Sequence, residues 1–366
     1  MQFLSKTTAL FFTLSLSSVY AQDKTPKYSN EFLNIGVSAR ALGMSNAFLA
    51  TCNDVTGGYW NPAALLDVNI DLQIGLMHAS YFANIAKYDY GAFAKKIDGK
   101  SAFGFSMIRF GVDDIPNTTE LIDAEGNIDY DKVSTFSAAD YGFLFSYARK
   151  LNIPGLNIGG NAKIVHRKVG DFGKAWGFGL DAAVNYHKGK WRFAAVGRDI
   201  TTTFNAWSYS LDEKTKEVFT ATGNEIPKNS VEITMPKLLA GAAYTTKFKK
   251  FFTLTGELDL DFTFDGKRNV LVPGKLASID PHMGFEAGYK NVVFLRGGLG
   301  NIQRIQDFDG NENLNVQPNF GLGVKIKIFS IDYAFTDVGN VSEALYSNVF
   351  SVKIDINKNQ TISRSL

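Results

Sequence analysis

Residues 252–265 alternate strictly between two kinds of side chain, in the order FTLTGELDLDFTFD. Every second residue is apolar or glycine, and the residues between them are Thr, Glu or Asp. Successive side chains of a β-strand point to opposite faces, so this pattern predicts a strand with one apolar face. Taken alone, the stretch does not separate a soluble β-protein from a membrane barrel, because both bury such a face.

The same alternation recurs along the chain and predicts fourteen strands. In residues 176–186 and 320–328, large apolar side chains on one face oppose small or polar residues on the other. Strands that face lipid point apolar side chains outward and polar or small residues inward. We place the strands at 70–81, 85–97, 101–110, 136–150, 155–168, 174–187, 190–200, 236–247, 250–264, 280–289, 291–300, 317–328, 329–337 and 347–356.

The connections between these strands alternate between short and long. Tight turns rich in Gly, Asn and Lys alternate with polar segments at 111–135, 169–173, 201–235, 265–279, 301–316 and 338–346. Outer-membrane barrels have short periplasmic turns and long extracellular loops, whereas a soluble sandwich gives no reason for the alternation. The sequence therefore predicts an all-β fold, a 14-stranded transmembrane outer-membrane β-barrel over residues 70–356, with a C-terminal tail at 357–366.

The first residues predict export. Lys6 precedes an apolar run over residues 7–20, and Ala21 offers a small residue for cleavage. This is the layout of a secretory signal peptide at residues 1–21. The run is shorter than the roughly 20 residues that a spanning helix needs, which disfavours an N-terminal anchor. The predicted localisation is the cell outer membrane.

Composition fits this class of protein and excludes others. The 30 Phe, 15 Tyr and 34 Gly favour aromatic belts and small lumen residues. A net charge of +2 with scattered basic residues predicts no nucleic-acid partner. The single cysteine, Cys52, excludes an internal disulfide.

Residues 22–69 read differently from the rest, as a compact segment without strand periodicity. Pro62 suits the first turn of a short helix with Asn61 as its N-cap. The segment is too small to hold a core of its own. We therefore predict that it is a plug, or hatch, packed on or inside the barrel.

The sequence contains no recognisable catalytic set, and we predict no enzyme activity, cofactor or metal. The four histidines lie in separate strands or turns. The acidic stripe Glu257, Asp259 and Asp261 is expected to face the lumen. Lys163, Lys325 and Lys327 are expected to face the lumen from other strands. Two interpretations stay open, a hydrogen-bonded filling of the lumen and a selective pore.

Segment 201–235 contains Phe204, Trp207 and Tyr209, which we take as a candidate partner-binding loop. Exposed aromatic residues in a long outward loop are typical of protein-binding surfaces. The alternative is that the loops fold over the barrel mouth and bury these groups themselves.

The runs GVSARALGMSNA at 36–47 and WNPAAL at 60–65 resemble the PorV/PorQ family of outer-membrane proteins and, more distantly, the FadL long-chain fatty-acid transporters. Seven plug residues match the motif: Arg40, Gly43, Met44, Trp60, Asn61, Pro62 and Ala63. The resemblance covers essentially the whole mature chain. The C-terminus departs from it, because many bacterial barrels end on an aromatic residue and this chain continues to Leu366.

The resemblance implies a component of the type IX protein secretion system of Bacteroidota. Such a protein binds the C-terminal signal domains of secreted cargo proteins and passes them from the translocon to the surface attachment complex, without catalysis. The alternative hypothesis is a FadL-like transporter of hydrophobic small molecules, which would need an apolar pocket and a lateral exit. In both, outer-membrane lipid surrounds the barrel.

Overall fold

The computed structural model describes residues 29–122, 126–306, 309–336 and 347–357. The predicted signal peptide, the loop 338–346 and all but the first residue of the predicted tail lie outside these residues. Among the residues described, no helix has both the length and the apolar character needed to cross a membrane.

Strands make up most of the described chain, with a few short helices. The strands are β1 (Leu72–Tyr81), β2 (Ala86–Lys96), β3 (Ser101–Asn117), β4 (Ser134–Lys150), β5 (Leu156–Val169), β6 (Gly173–Lys188), β7 (Trp191–Arg198), β8 (Thr203–Tyr209), β9 (Ser230–Thr234), β10 (Lys237–Phe248), β11 (Phe252–Thr263), β12 (Ser278–Tyr289), β13 (Val293–Gln306), β14 (Glu312–Ile326), β15 (Phe329–Thr336) and β16 (Ser347–Ile356). The α-helices are α1 (Ala39–Leu42), α2 (Gly57–Trp60) and α3 (Glu213–Ala221), and 3-10 helices occupy Glu31–Leu33, Pro62–Asp67 and Tyr130–Lys132.

These segments close into one antiparallel sheet. β1 pairs with both β2 and β16, and the remaining neighbours follow around to β5, which pairs with β6. β6 pairs with β8 along its first half and with β7 along its second half. β9 pairs with β8, and β10 pairs with β7. β7 and β8 therefore share one strand position of the barrel, and β9 and β10 share the next. The result is a 14-stranded closed β-barrel, which confirms the predicted fold.

The strands turn their apolar side chains outward. In β11, Leu254 and Leu258 are 44% and 43% exposed, whereas Glu257 and Asp259 on the other face are 5% and 1% exposed. The outward face is apolar in β6 and β14 as well, as the alternation predicted. A polar interior and an apolar exterior suit a barrel surrounded by lipid.

Several predicted loops are shorter than expected because strands extend into them. β3 continues to Asn117, β4 begins at Ser134, and only residues 307–311 separate β13 from β14. The prediction of a loop at 201–235 was wrong in large part, because β8, α3 and β9 lie there. Residues 203–209 and 230–234 have their own two-residue alternation, which the turn-forming residues between them obscured.

The core of the protein lies inside the barrel. Residues 29–69 fill the lumen, and Val37, Met44, Phe48 and Leu65 are almost completely buried. These side chains form one apolar cluster with inward residues of β1–β5, including Tyr88. The segment at the N-terminus is therefore a plug, and the barrel wall supplies the core that it cannot form alone.

Candidate functional site

The Asn-Pro-Ala element of the predicted motif builds a turn of the plug. The Asn61 side chain accepts a hydrogen bond from the Ala63 N–H at 3.1 Å and donates one to the Leu49 carbonyl at 3.0 Å. Pro62 begins the 3-10 helix, where its missing N–H costs nothing. The sequence prediction of a capped first turn with Asn61 and Pro62 agrees with this geometry.

Trp60 is buried between the plug and the barrel wall and also lines a cavity. Its indole N–H donates to the Val37 carbonyl at 2.9 Å, and its ring packs edge-on against Tyr59 and Phe48. The guanidinium of Arg198, from β7, lies 4.7 Å from the Tyr59 ring centroid and donates to the Tyr59 carbonyl. The guanidinium also lies 5.8 Å from the Trp60 ring centroid, so this cluster joins the plug to the wall through two cation–π contacts and one hydrogen bond.

Three motif residues, Gly43, Met44 and Ala63, lie where the plug backbone contacts the barrel wall. A Cβ on Gly43 would lie 2.8 Å from the Gly321 Cα, and a Cβ on Gly298 would lie 2.3 Å from the Met44 carbonyl carbon. Ala63 makes a similar approach to β5. The motif thus describes the close fit of plug and barrel, and two of its residues, Arg40 and Trp60, line the cavities described below.

A closed ring of six alternating charges ties the plug to four strands. Its members are Arg40 and Asp54 of the plug, Glu286 of β12, Arg296 of β13, Asp332 of β15 and Lys353 of β16. The contacts in order measure 2.9 Å (Arg40–Glu286), 2.6 Å (Glu286–Arg296), 2.8 Å (Arg296–Asp332), 3.3 Å (Asp332–Lys353), 2.7 Å (Lys353–Asp54) and 3.8 Å (Asp54–Arg40). We call this set the charge ring.

The charge ring determines the ionisation of the two plug residues in it, Asp54 and Arg40. Burial by itself would raise the pKa of Asp54, but the charges of Lys353 and Arg40 outweigh it and hold that pKa well below its usual range. Burial would lower the pKa of Arg40, but Glu286 and Asp54 raise it instead. Both groups are therefore charged at neutral pH, and each has a partner of opposite sign.

A second anchor uses carboxylates without a cation. Asp259 accepts hydrogen bonds from the backbone N–H groups of Phe48 and Leu49 at 2.8 and 3.0 Å, and Glu257 accepts from those of Ala50 and Thr51. The acidic stripe predicted in β11 therefore meets plug backbone, which supports the filling interpretation for these two residues.

Two of the three lysines expected to face the lumen pair with carboxylates outside the acidic stripe. Lys163 lies 3.1 Å from Asp181 and also contacts Asp199, and Lys325 lies 2.8 Å from Asp355. Lys327 lies at the β14–β15 turn. Lys163 and Lys325 therefore lie inside the barrel, as expected, whereas Lys327 is exposed at the turn.

The plug separates two cavities at opposite ends of the lumen. The inner chamber, about 560 Å³, opens at the short-turn end and is bounded by the charge ring together with Arg192, Lys325 and Asp355. The outer chamber, about 410 Å³, opens at the long-loop end. Its lining mixes apolar residues, among them Leu42, Leu49, Trp60, Leu239 and Val270, with charged and amide groups, among them Arg198, Lys237, Asp261, Arg268 and His282.

The wall beside the outer chamber has an incomplete hydrogen-bond ladder. β12 and β13 pair from Tyr289–Val293 to Met283–Leu299. Beyond that pair, within the described range 278–306, the two strands continue without pairing to each other, although β12 still pairs with β11 and β13 with β14. Pro281, which has no backbone N–H to offer a ladder, lies in this half of β12.

A loop side chain covers part of this unpaired region. Asn269 donates to the Arg304 carbonyl at 3.0 Å and accepts from the Arg304 N–H at 3.1 Å. Asn269, Val270, Asp280 and Gly300 all line the outer chamber. One loop therefore lies between the chamber and the surrounding membrane at this point.

The candidate partner-binding residues lie in β8 rather than in a loop. Phe204 points outward and is 45% exposed, beside its strand partners Phe178 and Ile233. Trp207 donates from its indole N–H to Glu232 at 3.1 Å and stacks on Tyr209. Phe204 thus belongs to the lipid-facing surface, and the other two residues contact neighbouring parts of the same barrel.

The sequence reasoning missed Glu286, Arg296, Asp332 and Lys353, which hold the plug. A signal was present, since each is a charged residue on the polar face of a predicted strand. Within the described residues, no cluster of three or more His, Cys, Asp or Glu side chains could hold a metal ion. The arrangement offers chambers and anchors, which suit passage or binding of a molecule.

Three solved structures share this fold. The CymD monoaromatic hydrocarbon channel is 13% identical, covers 88% of this chain and 98% of its own, and has a TM-score of 0.52. A Pseudomonas aeruginosa FadL homologue is 11% identical (92% and 100% covered, TM-score 0.50), and the Pseudomonas putida toluene transporter TodX is 11% identical (87% and 96% covered, TM-score 0.50). No protein-family model and no curated protein matches the chain.

The chain therefore has the fold of FadL-like outer-membrane barrels. That fold supports an outer-membrane location. Two of these neighbours are named as a channel and a transporter. The absence of enzyme activity stays a prediction from the sequence.

Proposed function

We propose that this protein is an outer-membrane transporter for small molecules that combine an apolar body with a polar end. The observation that carries the proposal is the outer chamber beside the unpaired halves of β12 and β13. A molecule entering from the long-loop end would meet a cavity of ligand size, and the wall beside it lacks the ladder that seals a barrel.

The lining of the outer chamber supports a substrate of mixed character. Leu49, Trp60 and Leu239 offer apolar contact, and Arg198 and Lys237 offer cationic donors nearby. Arg198 donates to the Tyr59 carbonyl and Lys237 to Asn34, so a pure hydrocarbon that displaced water would leave their remaining N–H groups without partners, which is costly. The structural neighbours named as hydrocarbon channels and as a toluene transporter support the general class of hydrophobic substrates.

The uptake assay uses a bacterial host that lacks its own long-chain fatty-acid transporter. Cells making this protein are given labelled oleate or labelled toluene, and accumulation is compared with cells carrying an empty vector. We expect oleate, which has a carboxylate, to accumulate above toluene. Accumulation of neither compound would count against the proposal.

A matched pair of loop variants tests the chamber itself. Val270→Trp places an indole in the outer chamber, whereas Val272→Trp adds the same group to the same loop at a half-exposed position outside the lining. We expect Val270→Trp to lower oleate uptake by about fivefold or more, corresponding to roughly 1 kcal/mol. Equal uptake by the two variants would exclude the chamber from the route.

Cargo binding in type IX secretion stays a prediction from the sequence. Of the three residues chosen for it, Phe204 faces outward, and Trp207 and Tyr209 make contacts within the barrel. Purification in mild detergent followed by mass spectrometry distinguishes the two functions. Co-purification of secreted proteins that share one C-terminal domain, with no uptake of either compound, would favour the sorting function.

A further inference from the structure

The lipid-facing surface of β10–β14 contains an apolar groove of about 620 Å³. Gly256 forms part of its floor, and a Cβ added there would meet no atom within 4 Å. The strand neighbours of Gly256 are Tyr244 and Phe285, whose side chains stand on either side of it. Apart from Glu257, whose carboxylate points inward to the plug, the other lining residues are apolar or small, among them Trp191, Ala242, Leu258, Met283, Leu299 and Phe320.

The groove lies near a strongly basic rim. The β6–β7, β10–β11 and β12–β13 turns carry six lysines, Lys188, Lys190, Lys247, Lys249, Lys250 and Lys290. Residues 187–192, 246–253 and 288–294 contain no acidic residue. These turns lie side by side at the short-turn end, because β7, β10, β11, β12 and β13 are consecutive neighbours.

Two of these lysines connect the rim to aromatic side chains of the outer surface. Lys190 donates to the Thr246 hydroxyl at 3.0 Å and lies 5.8 Å from the ring centroid of Tyr244, a groove residue. Lys290 lies 5.1 Å from the Phe251 ring and 5.3 Å from the Tyr289 ring. The ammonium groups therefore lie at the level where aromatic residues meet lipid headgroups.

The rim differs from another turn at the same end of the barrel. The β2–β3 turn also carries lysines, Lys96 and Lys100, but Asp98 lies between them. The Asp98 carboxylate accepts from the Lys100 backbone N–H at 2.7 Å. A local carboxylate offsets the positive charge there, whereas the turns below the groove have none.

We propose that the groove and its basic rim bind one anionic phospholipid of the leaflet at the short-turn end. An acyl chain would lie between Tyr244 and Phe285 over Gly256, and the phosphate would meet Lys190, Lys249 and Lys290. The groove opens directly to the bilayer, and lysines near a membrane surface attract anionic headgroups. In the usual orientation of outer-membrane barrels, this leaflet is periplasmic.

Native mass spectrometry tests the site on the full-length protein. The protein is placed in nanodiscs of equal parts phosphatidylglycerol and phosphatidylcholine, released in mild detergent, and examined for bound lipid. We expect one retained phosphatidylglycerol, enriched over phosphatidylcholine by about fivefold or more, since each lysine near the surface contributes a factor of roughly that size. Equal retention of the two lipids would overturn the proposal.

Two kinds of variant locate the site. The triple change Lys190→Gln, Lys249→Gln and Lys290→Gln is expected to abolish the enrichment, whereas Lys95→Gln, Lys100→Gln and Lys150→Gln, on exposed side chains of the opposite wall, should keep it. Gly256→Leu fills the open groove and is expected to reduce total bound lipid. If the first triple variant and Gly256→Leu both retain phosphatidylglycerol like the unaltered protein, the assignment is wrong.

Discussion

At the short-turn end of the lumen, the plug is held by the buried ion pairs of the charge ring. At the long-loop end it presents Leu42, Leu49 and Trp60 to an open chamber, and it is joined to the barrel by hydrogen bonds and by the partly exposed ion pair Glu31–Arg268. The same contrast exists in the wall. β12 and β13 are paired in their inner halves, where Glu286 and Arg296 join the charge ring, and unpaired in their outer halves. The comparison teaches that the buried ion pairs between plug and wall lie at the short-turn end, whereas the outer end relies on hydrogen bonds and one partly exposed ion pair.

The largest expected effect comes from breaking the charge ring. Lys353→Met leaves Asp54 and Asp332 buried with one cation fewer between them, and removal of one partner of a buried pair costs about 3–5 kcal/mol. The loss of unfolding free energy is measured by urea unfolding in detergent, with the folded fraction read from the heat-dependent shift of the folded band on a gel.

Lys325→Met is the matched control at the same end. Lys325 pairs with Asp355 but is 41% exposed, so its removal is expected to cost no more than about 1 kcal/mol. If the two variants unfold at the same urea concentration, the charge ring does not hold the plug more firmly than a surface pair.

The next effect concerns the direct contact between plug and wall. Gly298→Ala would push a methyl group into the Met44 backbone, and overpacking of this kind costs about 1–3 kcal/mol. We expect a displaced plug and a higher ion conductance across a planar bilayer. Gly256→Ala, on the open outer face, should leave conductance unchanged; a rise in that variant would mean that conductance does not report on the plug.

A pH dependence follows from Asp54. Because its pKa is lowered in the folded protein, Asp54 contributes stability above the usual aspartate pKa of about 3.9, and that contribution is lost as pH falls towards the lowered value. We expect wild-type protein to exceed Asp54→Asn in stability by about 1–3 kcal/mol at pH 7, with little change down to pH 5 and a shrinking difference below pH 4. A difference that shrinks between pH 7 and pH 5 would contradict this assignment.

The smallest effect is expected at the outer end of the wall. Asn269→Ala removes two hydrogen bonds of an exposed side chain to Arg304, and stability should change by no more than about 0.5 kcal/mol. Hydrogen exchange of the Arg304 amide should nevertheless become faster. Lys267→Ala, exposed in the same loop, is the control, and equal exchange in both variants would show that Asn269 does not cover the unpaired strands.

Much of the fold could be predicted because a barrel strand is a local pattern. The alternation in residues 252–265 needs only neighbouring residues to be recognised, and the same holds for each of the fourteen strand positions. The plug was recognisable by the absence of that pattern. The strands β8 and β9 were missed because each is short and helix α3 lies between them.

The site could be predicted much less well because its contacts join distant parts of the chain. Arg40 and Glu286 are 246 residues apart, and nothing in the sequence specifies which inward carboxylate of the wall a plug arginine will meet. That choice depends on the stagger of the strands and on the rotation of the plug within the lumen. The acidic stripe shows the same limit, since Glu257 and Asp259 bind plug N–H groups that carry no sequence signature.

The charge ring also bears on how the protein is assembled. Lys353 belongs to β16, the strand that closes the barrel against β1, and its partner Asp54 lies 299 residues earlier. The plug is therefore synthesised first, but one of its principal holding groups arrives with the last strand. Docking of the plug and closure of the barrel seam consequently depend on the same strand. A barrel that lacks β16 would have an unpaired β1 edge, and its plug would lack the ion pair with Lys353.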